Sequence, residues 1–351
     1  MKKEPLVSVC IPNYNYGHYL GYCLESVLNQ TYQNLEVIFS DNASTDNSYE
    51  IAYEYKKKFE DRGIYFHLNN NKHNLGSSAN STIVTSRSEG EFVYTLASDD
   101  AIKPEFIEKC VRVFQEYPSV GMVMVNREEI DENGEVYKQT PFYNTSCVIN
   151  GEDQAAVFMM AGIAIPAQRM VRNSFSGRWA RYCRKWNVAG DWYDNFLVSC
   201  FADIAYLKED LTQYRVHSGN ETNESEKNLM GIFEHYQLIN AFTDLAKACR
   251  LEKPVRRYDE AVSHLGDMCL RYALRMLRDN ETEAAKRYLM LAPVMKASIV
   301  ENEKYVQLMN IVNLADSKEI RKRAEEFREK NNLNRTISYD PPEGFTTLNL
   351  N

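Results

Sequence analysis

The sequence predicts an α/β chain: a mostly parallel sheet with helices on both faces, followed by a helical region. Three observations lead there. Over the first 125 residues, short apolar, β-branched runs alternate with segments whose apolar residues recur at helical spacing. That order builds parallel βαβ units. From about 224 to 332 glycine is scarce, Glu, Lys, Arg, Ala and Leu are frequent, and the apolar spacing stays helical. A chain of 351 residues that is 44% apolar can also bury a sizeable core without cross-links.

The elements follow in order. Leu6–Pro12 reads as a buried strand. Gly17–Gln30 places Leu20, Cys23, Leu24, Val27 and Leu28 on one helix face. Leu35–Ser40 is the second strand, and Asp41–Asp46 is a polar turn rich in helix-capping residues. A helix through Tyr55 and Phe59 comes next, then strands at Ile64–Leu68 and Phe92–Leu96. Pro104 suits the first turn of a helix carrying Phe106, Ile107, Cys110, Val113 and Phe114, and Val120–Val125 is the fifth strand. These elements give a sheet unit at 1–223 with halves at 1–125 and 126–223. The second half mixes short elements. It includes a basic, aromatic stretch of Arg169, Arg172, Arg178, Trp179, Arg181, Tyr182, Arg184, Lys185 and Trp186. That stretch reads equally as a solvated helix face or as a site for an anionic acceptor or a phosphate. In 224–332, Tyr272, Leu274 and Leu277 fall in one candidate helix and Tyr288, Leu289, Leu291 and Met295 in another. Residues 333–351, polar and interrupted by Pro341-Pro342, are expected to be a flexible tail.

Composition excludes several classes. A net charge of −8 argues against nucleic acid as a partner. No apolar run approaches the roughly 20 residues of a transmembrane helix. Met1–Pro5 leads directly into a strand rather than an apolar leader. The eight cysteines contain no C-x-x-C pair and mostly lie in apolar patterns, as reduced core residues do. The expected location is the cytoplasm, and peripheral attachment to the inner face of the membrane is compatible with it.

Open parallel sheets bind ligands at the carboxyl ends of their strands. The residues at those ends here are Pro12–Tyr16, Asp41–Asp46, Asn74–Gly76 and Ser98–Asp100. No G-x-G-x-x-G follows the first strand, and no G-x-x-x-x-G-K-[ST] occurs anywhere. Dinucleotide dehydrogenases and P-loop NTPases are therefore disfavoured. Asp99-Asp100 is the most informative pair. Adjacent carboxylates at the end of a buried strand repel each other and are costly to desolvate. A divalent cation with oxygen ligands relieves both. By itself the pair reads rather as a polar turn capping the helix that starts near Pro104.

Its company decides. Val7–Asn15 (VSVCIPNYN), Leu24–Tyr32 (LESVLNQTY), Leu35–Asp46 (LEVIFSDNASTD), Asn74-Leu75-Gly76 and Gly90–Asp100 (GEFVYTLASDD) resemble the family 2 glycosyltransferases in order and spacing. That family is inverting and has the GT-A fold. Gly190-Asp191-Trp192 looks like the family's Glu-Asp-aromatic segment, and Tyr214–His217 like its Tyr-Arg-x-His ending.

The resemblance implies roles at matching positions. Pro12, Tyr14, Asn15, Asn74 and Gly76 would shape the nucleotide pocket, and Asp41 would accept from a pyrimidine N3–H. Asp99 would lie near the ribose and the metal, Asp100 would bind Mn²⁺ or Mg²⁺ directly, and His217 would reach the metal or the diphosphate. Asp191 would be the general base, with Asp194 its rival one turn on. The donor would be a UDP- or dTDP-sugar. The acceptor would be a saccharide, a lipid-linked molecule or a protein. The pathway would be bacterial surface-polysaccharide or glycoconjugate synthesis. The helical region could support self-association. Taken singly, Asp41 and Asp191 read as helix or turn caps, Tyr14 as core packing and His217 as a structural histidine. A non-catalytic binding protein on the same fold is the rival function. Three positions depart from the family pattern. Ala97 stands where many relatives carry Asp, Gly190 replaces the usual Glu, and Asn80–Thr82 lack an Arg.

Overall fold

The computed structural model describes residues 4–160, 163–164, 168–175, 190–217, 227–331 and 337–349. Eleven strands form one sheet: β1 (Val7–Asn13), β2 (Leu35–Asp41), β3 (Tyr65–Asn70), β4 (Phe92–Thr95), β5 (Ala101–Ile102), β6 (Val120–Ile130), β7 (Val136–Lys138), β8 (Cys147–Ile149), β9 (Arg169–Arg172), β10 (Asp203–Arg215) and β11 (Thr346–Thr347). Their order is β11-β8-β10-β6-β9-β4-β1-β2-β3, with β5 on β10 and β7 on β6. The long ladders are parallel: β1 with β2 and β4, β2 with β3, and β6 with β10. The antiparallel ladders are two or three residues long.

Alternation along each strand feeds two cores. Val9, Ile11, Val37, Phe39, Tyr94 and Val123 face a core covered by helices Gly17–Leu28, Ser48–Asp61 and Phe106–Glu116. Cys10, Ile38, Val93, Met122 and Met124 face the other, under helices Ser77–Thr85, Gly151–Phe158 and Gly190–Ser199. The second core continues without a break into helices Met230–Ala248, Tyr258–Arg278, Thr282–Met295, Glu303–Val312 and Ser317–Lys330. Phe196 and Phe242 stack across that junction, ring centroids 4.2 Å apart. The seven described cysteines are all free. Among the described residues no helix is long and apolar enough to cross a membrane.

Two expectations change. The tail is not frayed where it is described. Tyr339 bridges to Tyr143, Thr346–Thr347 pair with β8, and Leu348 is buried. The edge of β8 carries unpaired backbone groups, and the tail satisfies them. The basic stretch is not one helix face either. Its first part is β9, which runs antiparallel between β4 and β6. Arg172 there is structural, donating to the carbonyls of Val120 and Phe114 and to Glu91. Arg178, Trp179, Arg181, Tyr182, Arg184, Lys185 and Trp186 lie outside the described residues.

Candidate active site

The loops at the carboxyl ends of β1 and β2 are tied into one unit. Asn13 Nδ2 donates to Asp41 Oδ1 at 2.8 Å. The Ser44 hydroxyl donates to the same oxygen at 2.7 Å, and the Ser44 amide donates to Asp41 Oδ2 at 2.8 Å. Asp41 therefore holds the turn, as capping chemistry dictates. A carboxylate has about four lone-pair sites, so a further N–H can still be accepted. Asn15 adopts a positive φ of 57° and Ala43 one of 61°. The Asn15 amide donates to the Ser44 hydroxyl, and its Oδ1 accepts from the Thr45 amide. Asp46 accepts from the amides of Gly17 and Ser48. A Cβ on Gly17 would sit 2.4 Å from Asn47 Oδ1, so the Asn47 side chain would have to move to admit one. Pro12 is half-buried, whereas Tyr14 is 42% exposed, so it offers an open ring face and is not core packing.

Asn74 and Gly76 shape the third loop. Asn74 Oδ1 accepts from Asn42 Nδ2 and from the Gly76 amide, both at 2.8 Å. Gly76, with φ 86°, opens the helix Ser77–Thr85. Asn80 on that helix accepts from the Ser40 hydroxyl at 2.7 Å. Where many relatives carry an arginine nearby, this chain has a buried amide bracing β2.

Asp99 and Asp100 follow β4 and precede β5, which pairs with Thr212 and Gln213 of β10. That ladder brings the end of β10 against the two carboxylates. His217 Nε2 lies 3.0 Å from Asp99 Oδ2. The Arg215 amide donates to Asp100 Oδ1 at 2.8 Å, and Arg215 Nε donates to the Asp99 carbonyl at 2.8 Å. The guanidinium lies over the Tyr19 ring, 4.4 Å from its centroid. The His217 ring packs against Tyr16 and Tyr19 at 5.5 and 5.4 Å. Burial, then repulsion from Asp99, raises the Asp100 carboxyl well above the usual range. An added positive charge would relieve that repulsion. An oxygen and an imidazole nitrogen, Asp99 Oδ2 and His217 Nε2, converge at the site. The carboxylate oxygen suits either Mn²⁺ or Mg²⁺ and the imidazole nitrogen is a poor ligand for Mg²⁺, so of the two ions the pair fits Mn²⁺ better. Among the described residues, however, no three His, Cys, Asp or Glu side chains gather as a closed set. One oxygen of Asp100 is held by the Arg215 amide.

Asp191 lies in the first turn of helix Gly190–Ser199, its Oδ1 accepting from the Trp192 amide at 2.9 Å. Burial pushes its carboxyl up to about 6, with Arg169 opposing the shift. Asp194 pairs with Arg169, Nη2 to Oδ2 at 3.4 Å. Among the described residues, Asp194 has an ion-pair partner and Asp191 accepts no hydrogen bond from a cation.

Three buried polar atoms in these segments have no hydrogen-bond partner: Asn13 Oδ1, Ser98 Oγ and Arg169 Nη1. Buried groups of this kind are rare unless a ligand completes them. Two residues carry weight beyond their sequence reading: Arg215 has no role there, and Arg169 is only one member of the basic stretch. Arg215 ends β10 two positions before His217, so period-two spacing was a usable signal. Arg169 gave none, because its burial depends on where β9 inserts.

Comparison with known proteins gives the family and the fold. The family model for glycosyl transferase family 2 matches residues 8–178. A glycosyltransferase of Nostoc sp. is 31% identical over 253 residues, 67% of this chain and 75% of that protein. Glycosyltransferase GlyG of Streptococcus pneumoniae is 34% identical over 228 residues, 61% of this chain and 72% of that protein. The crystal structure of Staphylococcus aureus TarS 1–349 in complex with UDP superposes with a TM-score of 0.57 at 16% identity. It covers 97% of this chain and 96% of that one, and shows a shared GT-A fold. By sequence, fold and the placement of its carboxylates, the chain belongs to glycosyl transferase family 2 and is a glycosyltransferase.

Proposed function

We propose that the chain transfers a sugar, with inversion, from a UDP- or dTDP-sugar to an acceptor hydroxyl in the assembly of a bacterial surface polysaccharide or glycoconjugate. The observation that carries this is the convergence of Asp99 and His217 at the sheet edge that also holds Asp41 and the open face of Tyr14. The UDP in TarS and the chondroitin synthase matching 38% of this chain at 35% identity support the donor and product classes.

Asp41, with a site to spare, accepts the N3–H of the base, and Tyr14 covers its face. Asp99 and His217, backed by Asp100, would hold a divalent ion, which supplies positive charge beside the diphosphate. Arg215 fixes the backbone of Asp99 and the orientation of Asp100. Asp191 takes the proton from the acceptor hydroxyl as its oxygen attacks the anomeric carbon and the nucleoside diphosphate departs from the opposite face. A carboxyl poised near 6 is ionised at neutral pH, yet is a stronger base than an ordinary aspartate.

The test is release of UDP or dTDP from a panel of UDP- and dTDP-sugars by purified protein supplied with Mn²⁺. Turnover lost in Asp191→Asn with donor affinity retained is the expected result. No turnover of any donor, or equal turnover in that variant, would contradict the reading.

A further inference from the structure

Arg169 is placed where a strand of the sheet meets the helix that carries the proposed base. β9 runs antiparallel to β4, with Tyr94 opposite Met170, so Arg169 lies at the carboxyl end of β4, the edge that holds Asp99 and Asp100. On its other side it is paired with Met124 of β6. Its side chain is only 8% exposed, and one guanidinium nitrogen has no partner at all. A buried guanidinium is costly to desolvate and persists only with compensating charge. The negative charge comes from one helix turn, which presents Asp191 and Asp194 three residues apart on the same face.

We propose that Arg169 is a positioning residue: it takes Asp194 as its ion-pair partner and so reserves Asp191, which it also faces electrostatically, for the acceptor proton. This rests on the reading of Asp191 as the base. Two carboxylates this close cannot both ionise easily in a half-buried site. One guanidinium between them lets Asp194 stay charged and holds down the proton affinity of Asp191. Without it, burial alone would leave Asp191 protonated over more of the working pH range.

Among the described residues, other charged groups around this helix are buried or have partners of their own. Glu234 is buried on helix Met230–Ala248, and burial pushes its neighbour His235, whose ring meets Trp192 edge to face, down to about 4, so that ring is neutral. On helix Gly151–Phe158, Glu152 accepts from the amides of Glu252 and Lys253, and Asp153 binds the Lys253 ammonium. On β6, Arg127 donates to Gln168 and Glu129. Among the described residues Arg169 is therefore the cation that acts on both Asp191 and Asp194.

The experiment is the pH profile of kcat/KM for UDP-sugar turnover in the full-length protein. The variants are Arg169→Met, Arg169→Lys, Asp194→Asn and Asp191→Asn. A base must be ionised, so the acid limb reports Asp191. Losing the cation should move that limb upward by about one pH unit or more, with the plateau largely kept. Arg169→Lys should hold it near the wild-type position. Asp194→Asn removes a neighbouring negative charge and frees Arg169, so the limb should move downward. A purely structural arginine would lower the plateau and leave the limb in place. If Arg169→Met does not fold, the downward shift in Asp194→Asn carries the test. A limb unmoved in Asp194→Asn and in any folded Arg169→Met overturns the proposal while Asp191→Asn is inactive. Full activity in Asp191→Asn overturns the base assignment and this inference together.

Discussion

Asp191 links chemistry and stability at the scale of one side chain. Its carboxyl titrates near 6 in the folded protein, against an ordinary value near 3.8. Between those values the folded state binds the proton more tightly than the unfolded chain. Stability therefore falls as pH rises through that window and stays lower above it. The loss is at most about 3 kcal/mol, at 1.36 kcal/mol per unit. Asp191→Asn should cut kcat by about 10²–10⁴ while raising Tm at pH 8 and leaving it nearly unchanged at pH 4. Calorimetry at the two pH values, beside turnover, checks both halves. The residues at this scale were largely legible in the sequence. Asp41, Asp99, Asp100, Asp191 and His217 sit at strand ends or helix starts, where short-range pattern and motif spacing locate them. What spacing could not show was the partner of each: Ser44 for Asp41, the Arg215 amide for Asp100 and Arg169 for Asp194.

Among the elements, the position of helix Gly190–Ser199 depends on a close approach. A Cβ on Gly151 would lie 2.4 Å from the carbonyl oxygens of both Ser199 and Ala202. Backbone atoms give way reluctantly, so Gly151→Ala should destabilise by about 1–3 kcal/mol. It should also lower kcat through displacement of Asp191, read by denaturant titration and kinetics. The tail makes a second case. Deleting residues 337–351 removes β11, the Tyr339 bridge and buried Leu348 and opens the edge of β8. The truncated protein should melt several degrees lower and aggregate more readily, as a thermal melt with light scattering would show. Both β9 and β11 were illegible for one reason. Each is a short, polar or charged segment whose strand state comes from a partner far away in sequence, and local periodicity carries no trace of such pairing. The strands β1 to β4 and helix Gly17–Leu28 were legible to within two residues or so, because each repeats its own buried face, whereas the mostly polar helix Ser77–Thr85 carries no such stripe.

For the molecule as a whole, the continuous core joins the sheet to the helices after residue 226. Trp192, Tyr193 and Phe196 of the base-bearing helix pack on Phe242. Phe242 is fully buried, and Phe242→Ala should cost about 3–5 kcal/mol, measured as a shift in the urea midpoint. A chain ending at residue 224 should be insoluble, since it would expose the aromatic face that Phe242 covers. The central claim is that the carboxylate edge of the sheet is a metal-assisted nucleotide site, and titration calorimetry with UDP tests it most directly. Wild-type protein with Mn²⁺ should bind UDP at least tenfold more tightly than the same protein in EDTA. Asp99→Ala should lose that difference while melting at nearly the wild-type temperature. Equal UDP affinity in Mn²⁺, in EDTA and in folded Asp99→Ala would contradict the account.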